Sequence, residues 1–275
     1  MISFHRFGHL GRFGNQLFQY AGTRLYAERF GYQYALPDWI GCHIFDGIYP
    51  ISSIEKLKTF FNKKIQLNDL QTYTKKDIIP WLLSKNQRLP HTYSMEYMYT
   101  HQRDRINFYG YMQDEYSFDV LRKNRNTIKQ WFRLKKEIGD IYRFTTKDLK
   151  PWIGLHIRQG DFIKIGVDLP ISAYREQLDV VIKNYPDHKI FIATNAPEIK
   201  KEFAEYDLLE ITNPSSVISS DIFDFWMLSQ AAVVISGGST FSWWAAFLGN
   251  NDHYYSAPLT HLWDEEQPKF CKRII

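Results

Sequence analysis

The 275-residue chain carries 34 Lys and Arg against 30 Asp and Glu, with 44% hydrophobic, 23% charged and 17% aromatic residues. That balance is typical of a soluble globular protein with one large or two ordinary cores, and it excludes a disordered chain. The formal net charge of +4 favours anionic partners only mildly and gives no argument for nucleic acid. Cys42 and Cys271 are the two cysteines; their separation offers no zinc spacing, and so few thiols suit a reducing compartment. No run of about 18 apolar residues occurs, and the N-terminal stretch lacks the charged and apolar regions of a secretory signal. The expectation is a soluble or peripheral protein, cytoplasmic if bacterial, with the inner membrane face as its peripheral location.

Residues 2–7 read as a first strand. Gly8, Gly11 and Gly14 then form a loop leading into a helix in which Leu17, Phe18, Ala21 and Leu25 recur at helical spacing up to Gly31. Residues 32–101 carry Pro37, Pro50, Pro80 and Pro90 and predict irregular helices. Within residues 51–110 ten Lys and Arg face five Asp and Glu. This excess marks either a solvated helix surface or a contact with a membrane or an anionic acceptor. An aromatic, glycine-punctuated stretch at 108–118 precedes a Lys- and Arg-rich helical pattern over 120–141.

A boundary near 148–151 divides the chain into an N-terminal domain, 1–149, and a C-terminal domain, 150–275. After it come the apolar strand WIGLHI, a helix over 172–184, the strand KIFIAT, a helix from about Asp221, the run AAVVIS, and a helix beginning in GGSTFSWWAAFLG. Apolar strands alternating with helices indicate α/β structure with parallel sheets.

In open parallel sheets ligands sit beyond the carboxyl ends of the strands, which selects Arg158, Asn195 and the turn at Gly237, Gly238, Ser239 and Thr240. A small-residue turn entering a helix presents N–H groups to a pyrophosphate, although Ser239 or Thr240 also reads as a simple N-cap. Arg158 offers a permanent planar fork to phosphate oxygens, or pairs with nearby Asp161. There is no Asp-x-Asp triplet to hold a divalent ion, no phosphate loop of the P-loop type, no Gly-x-Ser-x-Gly elbow and no dinucleotide glycine spacing. Trp243 and Trp244 read as helix packing more readily than as sugar-stacking rings.

The segments GRFGNQLFQYA (11–21), HIRQGDF (156–162) and STFSWWAAFLG (239–249) together resemble the motif set of glycosyltransferase family 11, the bacterial and animal α-1,2-fucosyltransferases. They also share the wider similarity of that family to α-1,6- and protein O-fucosyltransferases. FYGYMQDEYSF, LPISAYREQL and DFWMLSQAAVVIS extend the resemblance in order along nearly the whole chain.

The resemblance implies a GT-B fold, two Rossmann-like domains with parallel sheets facing a cleft, and a GDP-sugar bound mainly by the C-terminal domain. It implies that Arg158 holds the β-phosphate of the leaving GDP, that His156 lies near the ribose or base, and that Ser239, Thr240 and Phe241 cradle the nucleotide. Arg12, Gly14 and Asn15 belong to the glycine loop, with Asn15 reaching the sugar-phosphate, and Asp224 orients the C-terminal loop. Tyr111, Gln113, Asp114 and Glu115 are acceptor-side candidates. Three positions depart from the family pattern. Asn195 stands where an acidic residue reads guanine, Gln159 where a second arginine is common, and Gly237-Gly238 where bulkier residues occur.

The expected reaction is inverting transfer of L-fucose from GDP-fucose to a glycan hydroxyl, α-1,2 to a galactoside, with no metal or other cofactor. Asp161, Asp114 and Glu115 are the candidates for the base. The acceptor is an oligosaccharide or a glycolipid. Another GDP-sugar or linkage, a degenerate binding module and a scaffold protein are the competing readings.

Overall fold

In the computed structural model, residues 1–9, 11–67, 92–160, 163, 168–249, 252–256 and 271–274 are described. The chain divides into two compact units, Met1–Arg133 and Leu134–Ile275.

The first unit is built on strands β1 (Ile2–Ser3), β2 (Tyr34–Ala35), β3 (Lys63–Leu67), β4 (Thr92–Tyr93) and β5 (Ile106–Tyr109), in the order β2-β1-β5-β3-β4 with every pairing parallel. The strand read over 2–7 stops at Ser3 because the chain turns at once: Phe7 N–H donates to the Phe4 carbonyl at 2.9 Å, and Gly8 has φ +79°. Helix α1 (Phe13–Arg29) buries Leu17, Phe18, Ala21 and Leu25 as their spacing predicts. The proline-rich stretch contains α2 (Ile40–Ile44), α3 (Ser53–Thr59) and α4 (Met95–Thr100), but also β3, which the sequence reading passed over. The single helix read over 120–141 is three: α5 (Glu115–Lys123), α6 (Arg125–Trp131) and α7 (Lys136–Thr146). Asn124 makes the first break, since its side-chain amide turns back to the Val120 carbonyl at 2.8 Å.

The second unit holds β6 (Trp152–Ile157), β7 (Lys189–Thr194), β8 (Val233–Ser236), β9 (Asp252–Ser256) and β10 (Cys271–Ile274), ordered β10-β9-β8-β6-β7 and again parallel. Helices α8 (Ile171–Ile182), α9 (Ser220–Gln230) and α10 (Thr240–Leu248) and a 3₁₀ segment (Pro197–Phe203) connect these strands. The unit begins before the 149/150 division read from the sequence, because Tyr142 of α7 packs its ring against Phe223 and Trp226 of α9, with centroids at 5.1 and 5.4 Å. Every residue of β6 is buried, as expected of a strand covered on both faces. Trp243 and Trp244 are 1% and 0% exposed and pack with Phe247, so both are core residues. Among the described residues no helix is long and apolar enough to cross a membrane.

Both sheets contain a switch point, where successive connections leave in opposite directions. In the first it lies between β1 and β5, in the second between β6 and β8. Crevices for ligands form outside such points.

The packing of β6 gives a direct test. A Cβ on Gly154 would lie 2.9 Å from Leu228 Cδ2 and 3.1 Å from Ala231 Cβ. Gly154→Val should therefore lower stability by about 1–3 kcal/mol, read as a lower urea midpoint for the second unit. An unchanged midpoint would refute this account of the strand's packing on α9.

Candidate functional site

The switch point of the second unit gathers most of the residues selected from the sequence. Arg158 follows β6, Asn195 follows β7, and Gly237 to Ser239 follow β8. Asn195 fastens the first two of these ends together: its Oδ1 accepts from Gln159 N–H at 3.0 Å and its Nδ2 donates to the Gln159 carbonyl at 3.3 Å. Gly160, at φ +68°, permits the approach, since a Cβ there would stand 2.9 Å from the Asn195 amide. One donor and one acceptor of the Asn195 amide are thus already used in shaping the Arg158 loop.

A second fastening was not read from the sequence. Tyr174 of α8 is buried, the Arg158 backbone N–H donates to its oxygen, and burial pushes its hydroxyl up to about 12. A Cβ on Gly237 would sit 2.3 Å from that hydroxyl oxygen. The glycine at 237 is therefore what lets the β8 turn close over Tyr174. The signal was present in LPISAYREQL, but nothing in a linear pattern tells which helix residue reaches a loop 63 positions away.

Ser239 caps α10: its Oγ accepts from Phe241 N–H at 3.3 Å. The capping role is thus real, and the neighbouring amides still face the end of β8. His156, buried within β6, connects to the same turn. Ser242 Oγ donates to the Ser239 carbonyl at 3.1 Å, which makes Ser242 the acceptor for His156 Nδ1 at 3.1 Å. That assigns a proton to Nδ1. The His156 ring lies 5.1 Å from that of Phe241, which meets Phe225 of α9 edge-on at 5.3 Å. Thr240 is the first residue of α10.

Asp224 of α9 behaves differently. It is half-buried, and among the described residues it has neither a hydrogen bond nor an ion pair, so no bond ties it to the Ser239 turn. Burial pushes its carboxyl up to about 7; Lys200 of the 3₁₀ segment opposes the rise and Asp221 adds to it. The acid thus lies near the segment that follows Asn195.

In the first unit the glycine loop and the 108–118 segment meet at the β1/β5 switch point. Gln113 Nε2 donates to Asn15 Oδ1 at 2.8 Å, and Gln113 is 6% exposed. Gly11, at φ +75°, makes room for Asn15, whose Nδ2 would lie 1.9 Å from a Cβ at position 11. Arg12 precedes α1 as its N-cap residue and Gly14 is buried in its first turn. Tyr111 is partly buried in the same connection.

Asp114, a base candidate, is instead structural. Its Oδ1 accepts from Ser117 N–H at 2.8 Å as the cap of α5, and its Oδ2 accepts from Met95 N–H at 3.0 Å. Glu115 opens α5, and its side chain and Asp161 lie outside the described residues. Among the described residues no group of three or more His, Cys, Asp or Glu could hold a metal ion.

The family model described as Glycosyl transferase family 11 matches residues 6–272. The chain belongs to glycosyltransferase family 11. Its relatives include the Escherichia coli alpha-1,2-colitosyltransferase, 23% identical over 258 residues covering 88% of this chain and 86% of that protein. The galactoside alpha-(1,2)-fucosyltransferase 1 of Leontocebus fuscicollis is 26% identical over 275 residues, covering 95% of this chain and 70% of the relative. Among solved structures, POFUT1 in its apo-form aligns with a TM-score of 0.59 at 12% identity, over 92% of this chain and 97% of that one; its complex with GDP-fucose gives 0.56. At that identity the likeness establishes the fold, and this family 11 chain is α/β with the GT-B architecture expected of it.

The Asp224 carboxyl supplies a pH test. Its ordinary value is 3.8 and its folded value about 7, so the folded protein holds the proton more tightly than the unfolded chain does. Its contribution to stability is full below about pH 4 and is lost as pH rises through about 7. Denaturation at several pH values should show wild type losing stability relative to Asp224→Asn across that window, with the gap constant above it. A pH-independent gap would mean that Asp224 is not desolvated.

Proposed function

We propose that this family 11 chain is an inverting fucosyltransferase that takes L-fucose from GDP-fucose and attaches it to a glycan hydroxyl, α-1,2 to a galactoside. The observation that carries the reading is the convergence of a loop bearing Arg158 and an α10 N-terminus on the β6/β8 switch point, held by Asn195 and Tyr174. A guanidinium and a helix N-terminus are what a departing diphosphate needs as negative charge grows on it. The family, with its α-1,2-transferring relatives and the GDP-fucose complex of a protein of like fold, supports the donor and linkage.

Each residue then has a part. Arg158 holds the β-phosphate and steadies the leaving GDP. The α10 turn, from Ser239 through Phe241, receives the phosphates, and His156, fixed by Ser242, presents Nε2 towards the ribose. Asn195 acts as a positioning residue for the Arg158 loop. Guanine reading passes to Asp224, because a half-buried carboxylate with no partner among the described residues suits the N1–H and N2–H pair of guanine. Asn15, held by Gln113, keeps its amide Nδ2 at the glycine loop of the first unit. The oxocarbenium-like state of a 6-deoxy sugar places more of the burden on the leaving group than on a strong base. A colitosyl donor is the second reading, motivated by the Escherichia coli relative; rates with fucosyl and colitosyl donors compared side by side decide between them.

Two experiments test these roles. Thermal unfolding with GDP, UDP, ADP and dTDP, each with and without EDTA, should show a GDP-selective shift, about 2.7 kcal/mol at a hundred times the dissociation constant. Arg158→Ala should weaken that shift and lower turnover by roughly 10²-fold. A UDP-selective shift, or turnover near wild type in the variant, would sink the donor assignment. Guanine reading is tested with inosine diphosphate, which lacks the 2-amino group. Wild type should prefer GDP, Asp224→Asn should lose most of that preference, and GDP affinity should rise with pH up to about 7, the value from which the carboxyl titrates. A preference unaltered in the variant would assign guanine recognition elsewhere.

A further inference from the structure

Helix α3 of the first unit turns its apolar side outward. A capping box starts it: Ser52 Oγ accepts from Glu55 N–H at 3.3 Å and the Glu55 carboxylate accepts from Ser52 N–H at 2.8 Å. Thr59 is its one buried residue. Ile54 and Leu57, and Phe60 and Phe61 just beyond, are 67, 75, 72 and 89% exposed. Ile54 and Leu57 form an apolar arc on the helix, bracketed by Lys56 and Lys58, and Phe60 and Phe61 follow it directly in the turn at its end. The two phenylalanine rings meet edge to face at 5.1 Å. Between residues 51 and 64 four lysines stand against one glutamate, and that glutamate is engaged in the cap.

Isolated exposed hydrophobics on a protein surface are ordinary, but four large ones within residues 54–61 mark an interaction site. The lysines decide what kind. A helix meant for water has no use for the arc. A second copy packed on it about a twofold axis would bring like-charged brackets face to face. An anionic lipid surface satisfies both halves at once, since its acyl boundary accepts the apolar side chains and its phosphates accept the lysines. We propose that α3 and the two phenylalanines after it dock the protein on an anionic phospholipid surface, with Ile54, Leu57, Phe60 and Phe61 entering the headgroup boundary and Lys56 and Lys58 lying among the phosphates. This stands apart from the donor site and does not depend on which sugar is transferred.

The test is co-sedimentation of the full chain with vesicles of phosphatidylcholine alone and of phosphatidylcholine with roughly one-third phosphatidylglycerol, at about 0.1 M and about 0.5 M salt. Wild type should bind the anionic vesicles, much less the neutral ones, and less at high salt. Leu57→Glu with Phe61→Glu should lose at least about tenfold in partitioning, and Lys56→Gln with Lys58→Gln roughly fivefold per lysine removed. Both double variants should melt as cooperatively as wild type by circular dichroism, because the altered side chains are exposed. Failure of folded wild type to bind anionic vesicles, or binding undiminished in either variant, overturns the proposal. A wild-type dimer in light scattering that the Leu57 and Phe61 variant dissociates, without vesicle binding, assigns the face to a second copy and overturns it equally.

Discussion

A strand buried on both faces has almost nowhere to put a polar group except its ends, and β6 imposes that constraint on the whole second unit. All six of its residues are buried, so the polar side chains that follow are displaced to the loop after Ile157. The exception, His156, is tolerated inside the strand because Ser242 receives its Nδ1 proton; a buried imidazole without a partner would cost on the order of 1–3 kcal/mol. From β6 outward the arrangement follows by necessity. β7 lies on one side and β8 on the other, so their carboxyl ends flank Arg158, and the connections that follow them must be shaped by bonds to each other.

Those bonds are few and specific. Asn195 spans the ends of β6 and β7, while Tyr174 stands beneath both the Arg158 loop and the Gly237 turn. The candidate site sits on loops, but on loops held from below by a packed helix and from the side by an amide. This is the arrangement that lets a flexible segment present a charge at a fixed place.

Much of this was legible in the sequence, and for physical reasons. Mostly apolar runs such as WIGLHI and KIFIAT bury their side chains best in covered parallel strands, and they match β6 and β7 residue for residue. The motif ends were legible because strand-to-loop transitions in such sheets are where ligands bind. The failures also have causes. β3, reading KKIQL, is too short and too polar to distinguish itself from a loop, and its pairing with β5 depends on partners forty residues away. Asp114 is a carboxylate of the kind that serves as a base, yet a carboxylate three residues before Ser117 is equally suited to capping α5. Asn195 is spent on the Arg158 loop for the same reason: sequence gives the identity of a polar group but not whether a neighbour has already taken its hydrogen bonds.

The Gly11 and Asn15 pair extends this to the history of the chain. Because any side chain at 11 would occupy the space of the Asn15 amide, position 11 is not free to vary while that amide stays. A lineage that placed even an alanine at 11 would first have to withdraw the amide that Gln113 holds, and with it the polar group that the first unit contributes to its switch point. The spacing of the glycine loop is in this sense a record of one side chain's position, kept by a residue that has no side chain at all.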